Sequence, residues 1–162
     1  MDHPDDRGGA TNWGITQAVA RAHGWGGAMR DLPRGVALEI YRQRYWVGPR
    51  FDGVAALSNA VAEELFDTGV NMGPGAAVMM LQRSLNALNR QQRDWADVVA
   101  DRRVGPATLA ALQALLRVRR ADGEAVLLKA LNALQGARYI ELAEARAANE
   151  SFLHGWLMHR VA

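Results

Sequence analysis

The sequence contains no cysteine among its 162 residues. This absence excludes a disulfide framework, a thiolate zinc site and a cysteine nucleophile. No apolar run approaches the roughly 18–20 residues that a helix needs to cross a bilayer, so no membrane span is expected. The first nine residues, MDHPDDRGG, are acidic and polar, which is not the pattern of a Sec-type signal peptide.

Lysine is nearly absent as well, because Lys129 is the only one and the other cations are arginines. Residues before Pro74 carry seven arginines against nine acidic residues, and the remainder carries a net charge of +4. A mildly basic second half suits an anionic polymer such as cell wall, and an ordinary solvated surface is the alternative. The arginines are scattered, with RVRR at 117–120 the only short cluster, so no nucleic-acid partner is predicted.

Strand-like alternation is also missing, and glycine and proline divide a series of helical patterns. We therefore predict an all-α fold of two packed helical halves that meet near Gly73. The predicted helices run from an N-cap at Thr11 to about 23, from about 34 to 45, from Ser58 to 69–73, from Pro74 through 88, from Pro106 through 116, from an N-cap at Asp122 to about 147 with Val126 facing inward, and around Trp156. Residues 48–53 are predicted as a loop, and 90–104 as a loop with a short helical turn.

The string HPDDRGGATNWGIT, at 3–16, is the most informative one for chemistry. Asp5 and Asp6 precede a glycine pair that lets the backbone turn back, and the predicted helix N-terminus after it favours negative charge. Such a constellation can hold a carboxylate and a hydroxyl at one point of a cleft. Acidic-glycine loops before helices are usually only turns with an N-cap, so the pattern alone favours that plainer interpretation and leaves the cleft as the alternative.

This string resembles the opening of the glycoside hydrolase family 108 N-acetylmuramidases. Their pattern Pro-x-Asp-x-Gly-Gly-x-Thr-x-x-Gly-Ile matches Pro4 to Ile15 without a gap. The likeness continues in the same order through MRDL at 29–32, IYRQRYW at 40–46, AEELFDTGVNMGP at 62–74, LQRSLNAL at 81–88, VGPATLAAL at 104–112 and the segment 132–161. The resemblance implies a lysozyme-like helical fold, with a muramidase region at 1–74 and a peptidoglycan-binding-like helical domain at 75–162.

The resemblance also implies a reaction, the cleavage of the β-1,4 bond between N-acetylmuramic acid and N-acetylglucosamine. In that reaction Asp6 would position or activate water and Thr11 would help to hold it. The family's general-acid glutamate, in Glu-Gly-Gly-Tyr, would lie four positions upstream of Met1, so impaired activity is expected of the chain that starts at Met1. A start assigned too late, which we favour, and a true truncation are the two explanations.

Sugar rings stack on aromatic side chains, so Trp13, Tyr45 and Trp46 are predicted to bind substrate. Trp25 is a further candidate, and Tyr41 is assigned to the core. Asn12, Gln17 and Asn71 are expected to hydrogen-bond sugar hydroxyl or acetamido groups, although Asn71 can equally brace a helix joint. Glu39, Glu63 and Glu64 are expected to be solvent-facing charges. None of the four histidines has zinc-ligand spacing, so neither a metal nor another cofactor is predicted.

Two further interpretations stay open. In the second half, DRRVGPAT resembles a wall-binding loop in which Arg102 replaces a glycine, so we expect an altered loop; a subdomain that only completes the core is the alternative. For the whole chain, the alternative function is a non-catalytic peptidoglycan-binding or secretion-accessory protein. Peptidoglycan glycan strands are the expected partner, the cell wall or periplasm the expected location, and a monomer is assumed.

Overall fold

The structure is a computed structural model, and it describes residues 10–161. Within this range the regular elements are helices apart from one short hairpin, so the prediction of an all-α, packed helical fold is confirmed. The elements are β1 (Thr11–Asn12), β2 (Ile15–Thr16), α1 (Gln17–Ala22), a 3-10 turn (Met29–Asp31), α2 (Arg34–Arg42), a π-helical turn (Gln43–Val47), α3 (Phe51–Ala55), α4 (Asn59–Met72), α5 (Pro74–Leu88), α6 (Pro106–Arg119), α7 (Ala121–Ala145), a 3-10 turn (Ala147–Asn149) and α8 (Glu150–Arg160).

The chain divides into two compact units between Gly48 and Pro49. The joint predicted near Gly73 lies inside the second unit, where α4 and α5 pack against each other. Gly73 separates these helices with a φ of +90°, and Pro74 occupies the start of α5, where its missing N–H is not needed. The assignment of a muramidase region to 1–74 and of a wall-binding domain to 75–162 stays a prediction.

The first unit is built around a small apolar core. Strand β2, helix α1, the first 3-10 turn and α2 each contribute buried side chains to it, namely Ile15, Ala20, Met29, Leu32, Ala37 and Ile40. Tyr41 and Trp25 pack against this cluster and are only partly buried. The core therefore fixes the hairpin to the helices that follow it.

The second unit is organised by α7, which packs against α4, α5, α6 and α8. Phe51, Leu65, Leu81, Leu112 and Leu127 are among its largest fully buried side chains. Helix α4 begins after Ser58, whose hydroxyl accepts a hydrogen bond from the Val61 N–H at 3.1 Å and donates one to Glu124 Oε2 at 2.7 Å. The helix starts predicted at Ser58, Pro74 and Pro106 are thus confirmed.

The predicted N-cap at Thr11 is wrong. Thr11 lies in β1 and pairs with Thr16, and the helix begins only after the hairpin, at Gln17. Thr16 is the N-cap, and its side chain accepts a hydrogen bond from the Val19 N–H. Strands β1 and β2 together span residues 11–16, so the helix can begin only after them. The hairpin also shows that the expectation of no strand was wrong.

Three other local predictions are wrong. Residues 48–53 are not all loop, because burial of Phe51 and Val54 holds the short helix α3 in place after Arg50, which has a φ of +64°. Helix α7 begins one residue before Asp122, so this carboxylate lies in the first turn instead of capping it. Val126, predicted to face inward, is 44% exposed.

The segment 90–104 holds a turn of the opposite hand to the one expected. Arg90, Gln91 and Gln92 have φ values of 54°, 59° and 62°, which form a left-handed turn in place of a right-handed helical one. The Asn89 side-chain oxygen accepts a hydrogen bond from the Gln92 N–H at 3.0 Å. This side chain supports the unusual backbone from within the loop.

Candidate functional site

The hairpin at the start of the described chain carries three of the predicted site residues, Thr11, Asn12 and Trp13, and a fourth, Gln17, begins the helix after it. Thr11 pairs with Thr16 and Asn12 with Ile15, so Trp13 and Gly14 form a two-residue turn. Both turn residues have positive φ, 54° and 74°, as the type I′ turns of tight hairpins require. The Gln17 N–H donates to the Ala10 carbonyl at 3.0 Å, which continues the pairing into the start of α1.

Trp13 is anchored at both its ring and its backbone. The indole N–H donates to the Leu32 carbonyl at 3.0 Å, and the Trp13 carbonyl accepts a hydrogen bond from the Tyr41 hydroxyl at 3.1 Å. The side chain nevertheless remains 53% exposed. A large aromatic ring held this firmly at the surface can stack on a flat apolar face such as that of a sugar.

Asn12 uses its amide to brace the same region. Its Nδ2 atom donates to the Met29 carbonyl at 2.8 Å and, at 3.4 Å, to the Arg30 carbonyl. These bonds tie the hairpin to the 3-10 turn. The amide donors of Asn12 therefore serve the fold in this structure, which favours a bracing role beside the predicted contact with sugar.

Tyr41 and Tyr45 form an aromatic pair below the hairpin. Their ring centroids lie 5.5 Å apart, and the Arg44 guanidinium lies 5.7 Å from the Tyr45 centroid. Burial raises the pKa of the Tyr41 hydroxyl, and the neighbouring Tyr45 adds to that shift. The expectation that Tyr41 belongs to the core agrees with its packing, while Tyr45 and Trp46 lie half-buried in the π-helical turn.

The structure thus brings some predicted site residues together and leaves others apart. Thr11, Asn12, Trp13 and Gln17 share one hairpin and its following helix, and Tyr45 reaches them through Tyr41. Asp6 lies outside the described residues. Asn71 belongs to the second unit, where it is exposed on α4 and donates to the Asp67 carbonyl at 2.7 Å and to its carboxylate at 3.3 Å. These bonds match the bracing interpretation of Asn71.

A polar network in the second unit shapes the loop that resembles a wall-binding pattern. Gln82 is 1% exposed, and its amide donates to Asp101 Oδ1 at 2.9 Å, the Arg103 carbonyl at 3.0 Å and Thr108 Oγ1 at 3.2 Å. The Arg102 N–H donates to Gln82 Oε1 at 3.0 Å. Arg102 has a φ of +66°, so the arginine adopts the left-handed backbone that a glycine would favour.

Sequence reasoning missed a cluster around Glu64. This carboxyl was expected to face solvent, but one of its oxygens, Oε1, is buried without a hydrogen-bond partner among residues 10–161. Burial raises its pKa, the nearby Asp67 raises it further, and hydrogen bonds from Thr68 and Asn132 partly offset both. The signal in the sequence was the polar set Glu64, Asp67 and Thr68, which are spaced three and four positions apart and therefore lie on one face of α4.

The described part of the chain contains no group of three or more His, Asp or Glu side chains arranged to hold a metal ion. Nor does any helix within residues 10–161 combine the length and the apolar character needed to traverse a bilayer.

Two family models match the chain. Residues 1–73 match the model described as glycosyl hydrolase 108, and residues 76–161 match the model described as a predicted peptidoglycan domain. Comparison with curated proteins gives no match. The first model supports a protein of the glycosyl hydrolase kind. Together the two models support peptidoglycan as its partner and the cell wall as its place of action. Because the second match spans more than half of the chain and the first nearly all of the rest, the chain belongs to the predicted peptidoglycan domain family and carries a glycosyl hydrolase 108 region ahead of it.

Proposed function

We propose that this protein is an N-acetylmuramidase, which hydrolyses the β-1,4 bond between N-acetylmuramic acid and N-acetylglucosamine. One observation carries the proposal. Within the glycosyl hydrolase 108 match, a hairpin anchored by three side-chain hydrogen bonds of 2.8–3.1 Å holds the exposed Trp13 ring two positions after Thr11. A firmly held, exposed aromatic ring is what a glycan site requires for stacking.

The reaction needs two further groups. A glycosidase uses an acid to protonate the leaving oxygen and a carboxylate or activated water at the anomeric carbon. We assign the second role to Asp6, five positions before Thr11, with Thr11 helping to hold the water. The acid would be the glutamate of the family's Glu-Gly-Gly-Tyr segment, which the resemblance places ahead of Met1.

The surface around the hairpin would also supply the contacts with substrate. Trp13 would stack on a sugar ring, and Gln17, the first residue of α1, would hydrogen-bond to a hydroxyl or acetamido group. Tyr45 and Trp46, in the π-helical turn, would extend the stacking surface. Asn12 and Asn71 contribute by bracing, because their amide donors are already bonded to backbone carbonyls.

The polypeptide of residues 1–162, assayed alone, is expected to bind wall and to clear it slowly. A missing general acid typically lowers a rate by about 10²–10⁴. Prefixing the family's Glu-Gly-Gly-Tyr segment should restore clearing. The first test compares the turbidity loss of purified cell wall with these two polypeptides.

The second test examines Thr11 in the extended polypeptide. Thr11→Val keeps the β-branched shape that suits β1 but removes the hydroxyl, and we expect clearing to fall by about tenfold or more. Thr11→Ser restores a hydroxyl and should recover most of the rate, which makes it the matched control. Equal rates for the Val and Ser variants would remove Thr11 from the mechanism.

The match to a predicted peptidoglycan domain at 76–161 favours one alternative, a non-catalytic wall-binding or secretion-accessory protein. Both functions predict retention on wall. They differ in the extended polypeptide, because an accessory protein would be retained there without clearing the wall.

A further inference from the structure

Trp13, in the hairpin turn, combines a costly backbone conformation with an exposed side chain. Its φ of 54° lies in the left-handed region, which is unfavourable for a bulky residue, and this turn position normally holds asparagine, aspartate or glycine. Burial of the ring does not offset the cost, because the side chain remains 53% exposed. Strained residues of this kind cluster at functional sites. The strain at Trp13 therefore favours a role for the exposed ring outside the core.

Two hydrogen bonds from distant parts of the first unit hold Trp13 in this conformation. The Leu32 carbonyl accepts the indole N–H at 3.0 Å and restrains the edge of the ring. The Tyr41 hydroxyl donates to the Trp13 carbonyl at 3.1 Å and restrains the backbone from which the ring projects. Because one bond acts on the ring and the other on the backbone, loss of either would leave the ring free to change its orientation.

Tyr41 is itself well placed to serve as an anchor. It lies on α2 directly after the buried Ile40, and its ring packs against the apolar core of the first unit. Burial raises the pKa of the Tyr41 hydroxyl, so this group stays protonated and able to donate at neutral pH. The hydroxyl therefore transmits the rigidity of α2 to the hairpin turn.

The second aromatic ring beside Tyr41 is less available for stacking. Tyr45 is half-buried, and its ring centroid lies 5.5 Å from that of Tyr41. The Arg44 guanidinium lies over the Tyr45 ring, 5.7 Å from its centroid, and such a cation–π contact occupies a face of the ring. Trp13 is therefore the ring whose orientation matters most to a stacked sugar.

We propose that Tyr41 is a positioning residue of the glycan site, whose hydroxyl fixes the orientation of the Trp13 ring through the turn backbone. This role rests on the proposed function, because it presupposes that a sugar stacks on Trp13. A ring that is already held in place loses little conformational freedom when a sugar binds, and this preorganisation adds to affinity. Tyr41, predicted as a core residue, thus also contributes to sugar binding.

The test is a double-mutant cycle in the 162-residue chain, with affinity for a soluble N-acetylglucosamine tetramer measured by calorimetry. Tyr41→Phe removes only the hydroxyl and should weaken binding by about two- to tenfold. Trp13→Asn removes the ring, leaves the Asn-Gly sequence that this turn prefers, and should weaken binding further. Tyr139→Phe is the matched control and should bind normally, because it removes a second-unit hydroxyl that has no hydrogen-bond partner among residues 10–161.

The double variant separates positioning from a purely structural role. Residue 13 keeps its backbone carbonyl in Trp13→Asn, so loss of the Tyr41 hydroxyl should lower the urea midpoint by a similar amount with or without the Trp13 ring. The loss of sugar affinity, in contrast, should appear only where the ring is present.

Four results would overturn the inference: no sugar binding by the wild-type chain, unchanged affinity in Tyr41→Phe, unchanged affinity in Trp13→Asn, or an equal effect of Tyr41→Phe with and without Trp13. Wall clearing by the extended polypeptide is measured in parallel. Clearing together with normal affinity in Tyr41→Phe removes only the positioning role. Coupled affinity losses without clearing support that role and contradict the muramidase.

Discussion

At the scale of single residues, Gly14 occupies a position that is strained for any other residue type. Its φ is +74°, and a Cβ atom built on it would lie 2.5 Å from the Tyr41 hydroxyl oxygen. That hydroxyl donates to the Trp13 carbonyl, so a side chain here would displace one of the bonds that anchor the hairpin. Hairpin geometry and the anchoring of Trp13 thus depend on the same glycine.

We predict that Gly14→Ala lowers the free energy of unfolding by about 2–4 kcal/mol, from backbone strain plus the lost tyrosine contact. Gly24→Ala is the matched control, because Gly24 has a φ of +87° but nothing within 4 Å of its would-be Cβ. It should cost only the strain, about 1 kcal/mol. Urea denaturation measures both variants, and equal losses would contradict the steric argument.

Glu64 gives stability a specific dependence on pH. Its pKa is raised in the folded protein, first by burial and then by Asp67. The folded state therefore holds this proton more tightly than the unfolded state does. Stability is higher below the ordinary glutamate pKa, and it falls as pH rises from that value through the raised one.

We predict that Glu64→Gln removes this loss. At neutral pH the variant should unfold at a denaturant concentration equal to or above that of the wild type, and the difference should vanish near pH 3–4, where both side chains are neutral. Glu144→Gln removes an exposed carboxyl of α7 and serves as the control for the loss of one negative charge. A variant that is less stable at neutral pH would show that the Glu64 carboxylate stabilises the fold.

At the scale of elements, the conformation of the loop between α5 and α6 is held by a side chain of α5. Gln82 in α5 makes four side-chain hydrogen bonds with residues 101–108, with donor–acceptor distances from 2.9 to 3.2 Å. Arg102 is held in a left-handed conformation within that network. The loop keeps the backbone of a glycine-containing turn even though an arginine stands there.

We predict that Arg102→Gly raises the free energy of unfolding by about 0.5–1 kcal/mol, since relief of strain outweighs the larger backbone entropy of unfolded glycine. Arg103→Gly removes the same charge at the next residue, whose φ is not positive, and should lower stability. Thermal unfolding of the two variants decides the matter. A fall in both would mean that Arg102 makes a compensating contact.

Helix starts were the most predictable feature at this scale. Ser58, Pro74 and Pro106 act through their own side chains or rings within one turn of backbone, so local sequence suffices to identify them. The predicted N-cap at Thr11 was wrong because Trp13, with a φ of 54°, takes a turn conformation that few non-glycine residues adopt. Its stability comes from Leu32 and Tyr41, which lie 19 and 28 positions away.

At the scale of the whole molecule, the family was predictable because its motifs span the chain, and both family models confirm it. The division into two units after Gly48 was not predictable from the sequence, because it depends on which helices pack together. The cluster at Glu64 was missed for a related reason. Its environment is made by α7 and α8, whose contacts with α4 no local pattern encodes.

Analysis of the reducing ends released from purified cell wall tests the central claim most directly. The polypeptide extended by Glu-Gly-Gly-Tyr is incubated with wall, and the new ends are reduced and identified by mass spectrometry. The predicted result is a reduced N-acetylmuramic acid end, formed much more slowly by residues 1–162 alone. Release of reduced N-acetylglucosamine ends, or no new ends from the extended polypeptide, would contradict the assignment of this protein as a muramidase.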